Sequence, residues 1–234
     1  MIGIDRNPQL LESAREKTLE VKLDSIVTYR RGDACKLPLK SDLADRVVCQ
    51  TLLWTLRDPK AAVREMVRVC RPGGIVGAVE GAFDHSINHF PQDSALKKLE
   101  LKATSAEAKG FQKLYGLDRG LGYKLPALFR ESGLERIRLD GYARVSLGRD
   151  DRVPLDHKVA MYRFELDKMR RNGGFSKEDR RTLRAGGMAE DEVRQLERLE
   201  MERARSLIRD PSLFKTDDSV SAAIRFIATG LKPN

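Results

Sequence analysis

The chain opens with a short apolar run that ends in an acid, and a helix signal follows at once. Ile2-Gly3-Ile4 leads to Asp5, and Asn7-Pro8 comes next. Asn7 can cap a helix, and proline is favoured at the first helical position. In a doubly wound α/β fold, an acid at the C-terminal tip of a strand is placed to bind a ribose hydroxyl pair. The opening therefore predicts an α/β fold and part of a nucleotide-type cofactor site.

Strand and helix patterns alternate through the next seventy residues. Residues 26–29 are rich in β-branched and aromatic side chains, and residues 45–50 form an apolar run that turns polar at its end. Asp58-Pro59 repeats the cap-and-proline signal ahead of a helix. Residues 75–80 predict a buried strand that ends in an acid. This alternation indicates a parallel sheet that is covered by helices on both faces.

The second half of the chain is mostly helical. The pattern predicts helices over 94–108 and 125–132 and a strand over 137–145. Residues 150–217 are nearly all helical, with glycine stop signals between the helices. Residues 222–229 return to strand character. The helical block is therefore expected to be inserted before the last strand.

These patterns predict an α/β fold with a doubly wound, mostly parallel, Rossmann-like sheet. The expected core comprises residues 1–149 and 218–234, and residues 150–217 form a helical cap. An apolar stripe on the cap could line a substrate pocket, mediate formation of a homo-oligomer, or pack against the core. The sequence leaves these three alternatives open.

Composition restricts the class of protein. The 234 residues carry a net charge of +9, but no segment is a basic tail of the kind that grips nucleic acid. No apolar stretch is long enough to span a bilayer, and no secretory signal is present. The three cysteines contain no CxxC pair, which is typical of a reducing compartment. We therefore expect a cytoplasmic protein that neither enters a membrane nor binds nucleic acid.

Four segments, in this order, resemble the class I S-adenosylmethionine-dependent methyltransferases, and in particular the small-molecule enzymes of the methyltransferase type 11 kind. The first is the acid-tipped strand, and the second resembles the pattern that follows the family's third strand. The third segment resembles the family's fourth strand, and the fourth segment resembles the turn that leads into the family's fifth strand. The segments are 2–5, Gly32-Asp33-Ala34 with Leu37-Pro38 and Asp42, 45–53, and 71–74 followed by 75–80.

The resemblance implies S-adenosylmethionine as cofactor and methyl transfer to a small-molecule acceptor by direct displacement. By the same resemblance Asp5 binds the ribose hydroxyls, Asp33 contacts the adenine amino group, and Gln50 lies beside the methionine part. No catalytic residue and no metal ligand is predicted, since an acceptor that is already nucleophilic needs only positioning. The implied cofactor contacts are Asp5, Arg6, Asp33, Ala34, Gln50 and Thr51.

The chain departs from the family pattern at its start. The family's first strand and its glycine-rich loop have no counterpart ahead of residues 2–5, and that strand lies at the centre of the family's sheet. The sequence can be a truncated reading, another chain can supply the missing part, or the chain can be a remnant without catalysis. A non-catalytic binding or regulatory partner is therefore one alternative function. An RNA-modifying methyltransferase is another, although Gln50-Thr51-Leu52-Leu53 stands where an Asn-Pro-Pro-Tyr-type segment is expected.

Several of the singled-out residues have a structural alternative. Asp5 could belong to the helix cap, and Asp33 could be an ordinary turn residue. Glu80 could form a structural salt bridge or face the substrate, and it stays outside the predicted site. His85 and His89 would form half a metal site if they lay on a helix.

The cysteines have one functional alternative. Some relatives methylate arsenite through cysteine thiolates. Cys49 lies in a predicted buried strand and Cys70 ends a predicted helix, which favours packing roles.

Overall fold

The computed structural model describes all 234 residues, and these divide into two compact units. The core unit comprises Met1–Glu80, Tyr123–Asp140 and Ile227–Asn234. The helical unit comprises Gly81–Gly122 and Gly141–Phe226. No helix in the structure combines the length and the apolar character that crossing a membrane requires.

The core unit begins with a strand, a helix and a second strand. β1 (Ile2–Asp5) and β2 (Thr28–Arg31) pair in parallel. α1 (Pro8–Glu20) connects them, and the side chain of its N-cap, Asn7, accepts a hydrogen bond from the main-chain N–H of Gln9. The predicted cap is confirmed, and β2 begins two residues later than the sequence indicates.

A second parallel pair follows in the core unit. β3 (Ala44–Gln50) pairs in parallel with β4 (Cys70–His89). α2 (Pro59–Val69) joins them, and its N-cap Asp58 accepts a hydrogen bond from the main-chain N–H of Ala61, as the sequence predicts. One face of α2 supplies much of the local core. Its buried residues are Ala62, Val63, Met66 and Val69.

The strands form two separate sheets. β1 and β2 make a two-stranded sheet, and the other sheet has the order β3-β4-β6-β5. β5 spans Glu135–Leu147 and β6 spans Val220–Leu231. β1 and β3 therefore each pair on one side only. Val48 of β3 is 76% exposed, which fits an uncovered position in a strand of this type.

The helical unit is built from four long helices. α3 spans Ser94–Tyr115, α5 spans Leu155–Asn172, α6 spans Lys177–Ala185 and α7 spans Glu190–Arg209. A fifth helix, α4 (Leu125–Glu131), belongs to the core unit. The main cluster of the helical unit comprises Leu96, Leu99, Ala103, Ala106, Leu183, Met188, Val193 and Leu196.

α3 and α6 approach each other closely because α3 carries a glycine at the contact. A Cβ atom at Gly110 would lie 2.0 Å from the carbonyl oxygen of Thr182. α3 continues to Tyr115, seven residues beyond the predicted end, since this glycine packs against a neighbour instead of ending the helix.

The remaining helix boundaries follow local sequence signals. α5 ends at Gly173, which has a φ of +67°. α6 starts with the predicted capping box, in which Ser176 and Asp179 exchange hydrogen bonds. The helical unit contains α3 in addition to most of the residues 150–217 that the sequence assigns to a cap. The division into domains at those residues stays a prediction.

Candidate cofactor site

Asp5 and Asp33 lie at the same edge of the two-stranded sheet. β1 and β2 are parallel, and their ladder continues where the main-chain N–H of Gly32 donates to the carbonyl of Asp5 at 3.0 Å. Gly32 is required here, because a Cβ atom would lie 2.7 Å from Cδ of Pro38 and 2.9 Å from Cγ2 of Ile4. The structure therefore brings these two carboxylates to the carboxyl ends of neighbouring strands.

Each of the two carboxylates uses one oxygen in a local turn. Oδ1 of Asp5 accepts from the main-chain N–H of Asn7 at 2.7 Å, and Oδ1 of Asp33 accepts from that of Cys35 at 2.8 Å. Neither Oδ2 atom takes part in a hydrogen bond or an ion pair. The turn roles that the sequence left open are therefore present, but each of them uses only one of the two carboxylate oxygens. One oxygen on each side chain remains able to accept from a hydroxyl or an amine.

Arg6 and Ala34 follow these two acids. The Arg6 side chain is exposed, and its carbonyl accepts from Nε of Arg31 at 3.3 Å. Ala34 is half-buried, and the hydrogen bonds of its turn leave its main-chain N–H unused. An available N–H beside Asp33 is what the resemblance implies for contact with an adenine ring.

An ion pair on α2 fixes the loop that follows β2. Oε2 of Glu65 accepts from the main-chain N–H of Leu37 at 2.8 Å. Arg68 donates to the carbonyls of Leu37 and Leu39, at 3.1 and 2.9 Å, and also binds Glu65. The hydrogen bond from Arg68 is the main reason that the pKa of Glu65 is lowered. The sequence analysis did not identify this interaction between α2 and the loop. The available signal was an acid and a base three residues apart on α2.

The turn after β3 contains a strained residue and a buried acceptor. Gln50 ends β3 with an exposed side chain, and Thr51 has a φ of +51°, which is uncommon for a β-branched residue. Glu80 is fully buried, and its Oε1 accepts from the main-chain N–H groups of Leu52 and Leu53 at 2.9 and 2.7 Å. Glu80 therefore acts as a backbone acceptor that fixes this turn.

The predicted residues thus form two groups. Asp5, Arg6, Asp33 and Ala34 lie at one edge of the two-stranded sheet, and Gln50 and Thr51 end the neighbouring sheet's first strand. No strand hydrogen bonds join β1 to β3. Both groups lie at the carboxyl ends of parallel strands, where ligands bind in folds of this type.

A family comparison covers this part of the chain. Residues 1–78 match the model of the methyltransferase domain family, and this range contains all six predicted contact residues. This match, together with the methyltransferase relatives below, supports a class I S-adenosylmethionine-dependent methyltransferase domain. The family's cofactor is S-adenosylmethionine.

Curated methyltransferases match parts of the chain. A phosphatidylethanolamine N-methyltransferase from Cereibacter sphaeroides is 37% identical over 91 residues, which is 39% of this chain and 41% of the relative. A demethylmenaquinone methyltransferase from Desulfitobacterium hafniense is 28% identical over 148 residues, which is 60% of this chain and 58% of the relative. The chain therefore spans about half the length of the curated relatives that it matches.

Solved structures match the whole chain at low identity. A candidate methyltransferase from Bacillus halodurans is 14% identical with a TM-score of 0.53, and the match covers 100% of this chain and 83% of that one. The YcgJ protein of Bacillus subtilis is 16% identical with a TM-score of 0.52, and the coverage is 100% and 82%. These matches support the methyltransferase fold.

Cysteine chemistry of the arsenite-methylating kind does not fit this chain. Burial, with a further contribution from the Glu80 carboxylate, raises the pKa of Cys49 to about 12. Burial also raises the pKa of Cys35 and of Cys70. The thiolate is the reactive form, so all three thiols are protonated and weakly nucleophilic at neutral pH.

His85 and His89 are too far apart to bind the same metal ion. His85 and His89 lie in β4 and not on a helix, so their Cα atoms are about 13 Å apart. No group of three or more His, Cys, Asp and Glu side chains in the structure is arranged to hold a metal.

Proposed function

We propose that this chain binds S-adenosylmethionine at the carboxyl ends of β1, β2 and β3 and transfers its methyl group to a small-molecule acceptor. One observation carries the proposal. Asp5 and Asp33 lie at the same sheet edge, and each has one carboxylate oxygen that no protein group uses. Two acceptors at neighbouring strand ends suit the hydroxyl pair and the exocyclic amine of an adenosine group.

The residues of the first group would hold the adenosine part. Asp5 would accept from the ribose hydroxyls through Oδ2, with Arg6 beside it. Asp33 would accept from the adenine amino group through Oδ2, and the N–H of Ala34 would donate to the ring. The ion pair of Glu65 and Arg68 holds the loop after β2 in place, so it supports this group without contacting the cofactor.

The residues of the second group would orient the methionine part. The main chain at Gln50 and Thr51 turns sharply at this point, and Glu80 fixes the next two N–H groups. When bound, S-adenosylmethionine supplies an electrophilic methyl group that a nucleophilic acceptor displaces directly. The chain itself contributes to the reaction by binding and orienting the cofactor and the acceptor and by excluding water.

The small-molecule acceptor and the cytoplasmic location are parts of the same proposal. Two relatives are named for methyl transfer to phosphatidylethanolamine and to demethylmenaquinone, which supports an acceptor that is not a macromolecule. The three cysteines are free thiols, and this supports a reducing compartment.

A radiolabel assay tests the proposal. The purified chain is incubated with methyl-tritiated S-adenosylmethionine and with phosphatidylethanolamine vesicles or a soluble demethylmenaquinone analogue. We expect label in at least one acceptor, and a fall of about tenfold in kcat/KM for the cofactor in Asp33→Asn, since one charge-assisted hydrogen bond is lost. Asp24→Asn is the matched control, because Asp24 is exposed and precedes β2. Equal kcat/KM values in both variants would contradict the assigned site.

A non-catalytic role is the second candidate, and the open edges of β1 and β3 favour it. Unpaired strand edges can recruit a partner strand. A chain that binds S-adenosylmethionine but transfers label to neither acceptor would favour this role over the enzymatic one.

A further inference from the structure

The helical unit contains a large cavity of its own. Its volume is about 770 Å³, which lies within the range of small-molecule sites. All of the residues in its wall belong to the helical unit, and they come from α3, α5, α6, α7 and the adjoining parts of three strands. Its aromatic wall residues are Phe83, Phe90, Phe111, Tyr162 and Phe175.

Most of the basic groups in the wall are already engaged with acids or aromatic rings. Arg119 pairs with Glu107 at 2.8 Å, and Arg203 pairs with Asp217 at 2.7 Å. Lys168 lies 3.7 Å from Glu165. The remaining basic residues of the wall are Arg144, which is exposed, and Arg225, which stacks on Phe83.

One carboxyl pair in the wall has no cationic partner. Glu100 of α3 and Glu200 of α7 both line the cavity and interact electrostatically, and neither takes part in a salt bridge. Oε2 of Glu100 also accepts from the side-chain amide of Asn88 at 3.0 Å. Burial and the nearby carboxylates raise the pKa of Glu200 to about 9.

A second polar group in the wall points to a missing ligand. Thr182 is 2% exposed and lines the cavity, and its Oγ1 has no hydrogen-bond partner. Its polar neighbour is the phenol of Tyr115, which donates a hydrogen bond to Oε1 of Glu178. A buried hydroxyl without a partner is rare in proteins.

We propose that this cavity binds an organic amine with an apolar or aromatic body, and that Glu100 and Glu200 receive its ammonium group. An ammonium group has three N–H donors and one positive charge, so it can donate to both carboxyl groups and supply the counter-charge that they lack. Aromatic faces also attract cations, and the apolar wall suits the rest of such a ligand. An anionic ligand would instead meet the one carboxyl pair that has no counter-charge.

Three probes of equal size and different charge test the inference. Tryptamine, tryptophol and indole-3-acetate are titrated calorimetrically into the full chain without cofactor, so the result does not depend on the proposed methyl transfer. We expect tryptamine to bind at least tenfold more tightly than tryptophol, and indole-3-acetate to bind most weakly. Equal affinities for tryptamine and tryptophol, or binding of none of the three, would overturn the assignment.

Matched variants locate the ammonium group. Glu200→Gln keeps a hydrogen-bonding side chain but removes the charge, so it should reduce the preference for tryptamine to about twofold or less. Glu202→Gln is the control on the same helix, because its side chain is 52% exposed, and it should leave the preference unchanged. Glu100→Gln is a second test should Glu200→Gln fold poorly. A tenfold preference that survives in both pair variants would refute the role of the pair.

Discussion

The main-chain N–H of Leu53 donates a 2.7 Å hydrogen bond to Oε1 of Glu80, a carboxylate with no exposed surface. The same oxygen also accepts from the next N–H along the chain towards β3, that of Leu52. Glu80 lies at the end of the predicted buried strand and thereby fixes the turn in which Thr51 adopts its left-handed backbone. The cofactor-site geometry after β3 depends on a side chain that lies outside the predicted contact set.

Removing this acceptor should weaken both the fold and the site. Glu80→Ala leaves two buried N–H groups unsatisfied, so we expect the free energy of unfolding to fall by about 2–4 kcal/mol. Glu80→Gln retains an acceptor oxygen and should lose less than half of that amount. Urea unfolding followed by circular dichroism measures both values. Equal losses in the two variants would contradict a role for Glu80 as a backbone acceptor.

The carboxyl pair of the helical unit should make stability depend on pH. Burial, with further contributions from Glu100, Glu165 and Glu197, raises the folded-state pKa of Glu200 from 4.5 to about 9. A carboxyl group whose pKa is higher in the folded state than in the unfolded state binds its proton more tightly in the folded state. This stabilisation of the fold is fully present below the unfolded-state pKa and is lost as the pH rises towards the folded-state pKa. The chain should therefore be less stable at pH 9 than at pH 5.

Glu200→Gln removes this titration. The variant should flatten the pH dependence and become more stable than the wild-type chain near pH 9, by on the order of 1–3 kcal/mol. Thermal unfolding from pH 5 to pH 9 compares the two proteins. Parallel curves for wild type and variant would exclude Glu200 as the titrating group.

The contact between α3 and α6 predicts one large packing effect. Gly110→Ala places a Cβ atom 2.0 Å from the carbonyl oxygen of Thr182, so the helices must separate. We expect a loss of about 3 kcal/mol in the free energy of unfolding. Ser105→Ala, at an exposed position of the same helix, should change it by less than about 0.5 kcal/mol. A Gly110→Ala protein as stable as the control would show that the contact is not tight.

The cysteines should react slowly in the native protein. Cys49 has a pKa of about 12 and Cys70 is buried, so neither should react with Ellman's reagent at pH 8 within minutes. Cys35 is half-buried and should react first. Three thiols should react on unfolding. Rapid labelling of Cys49 in the native chain would contradict its raised pKa and would favour a reactive thiolate near the end of β3.

The parts of the fold that rest on local chemistry could be predicted from the sequence. The caps at Asn7, Asp58 and Ser176 were identified because each side chain bonds to a main-chain group two or three residues away. The acid-tipped strand β1 was found in the same way, since the apolar pattern and the terminal acid are both visible in the sequence. Asp5 and Asp33 consequently lie together at one sheet edge as expected. Their cofactor contacts stay a prediction. The predicted strand end at Glu80 was wrong, because β4 continues to His89.

The features that rest on distant contacts could not be predicted. Glu80 acts on main-chain groups 27 and 28 residues away, and Glu65 acts on the N–H of Leu37 at a separation of 28. The end of α3 was missed for the same reason, since Gly110 is accommodated by packing against α6 and local propensity is overridden. No sequence pattern of a single helix indicates that Glu100 meets Glu200.

Calorimetric titration of S-adenosylhomocysteine and S-adenosylmethionine into the 234-residue chain tests whether Asp5 and Asp33 form a cofactor site. We expect binding in the micromolar range, weakened about tenfold or more in Asp5→Asn and in Asp33→Asn and unchanged in Asp24→Asn. A folded chain that binds neither compound would contradict this expectation. Equal affinities in all three variants would also contradict it, since the site would then lie elsewhere.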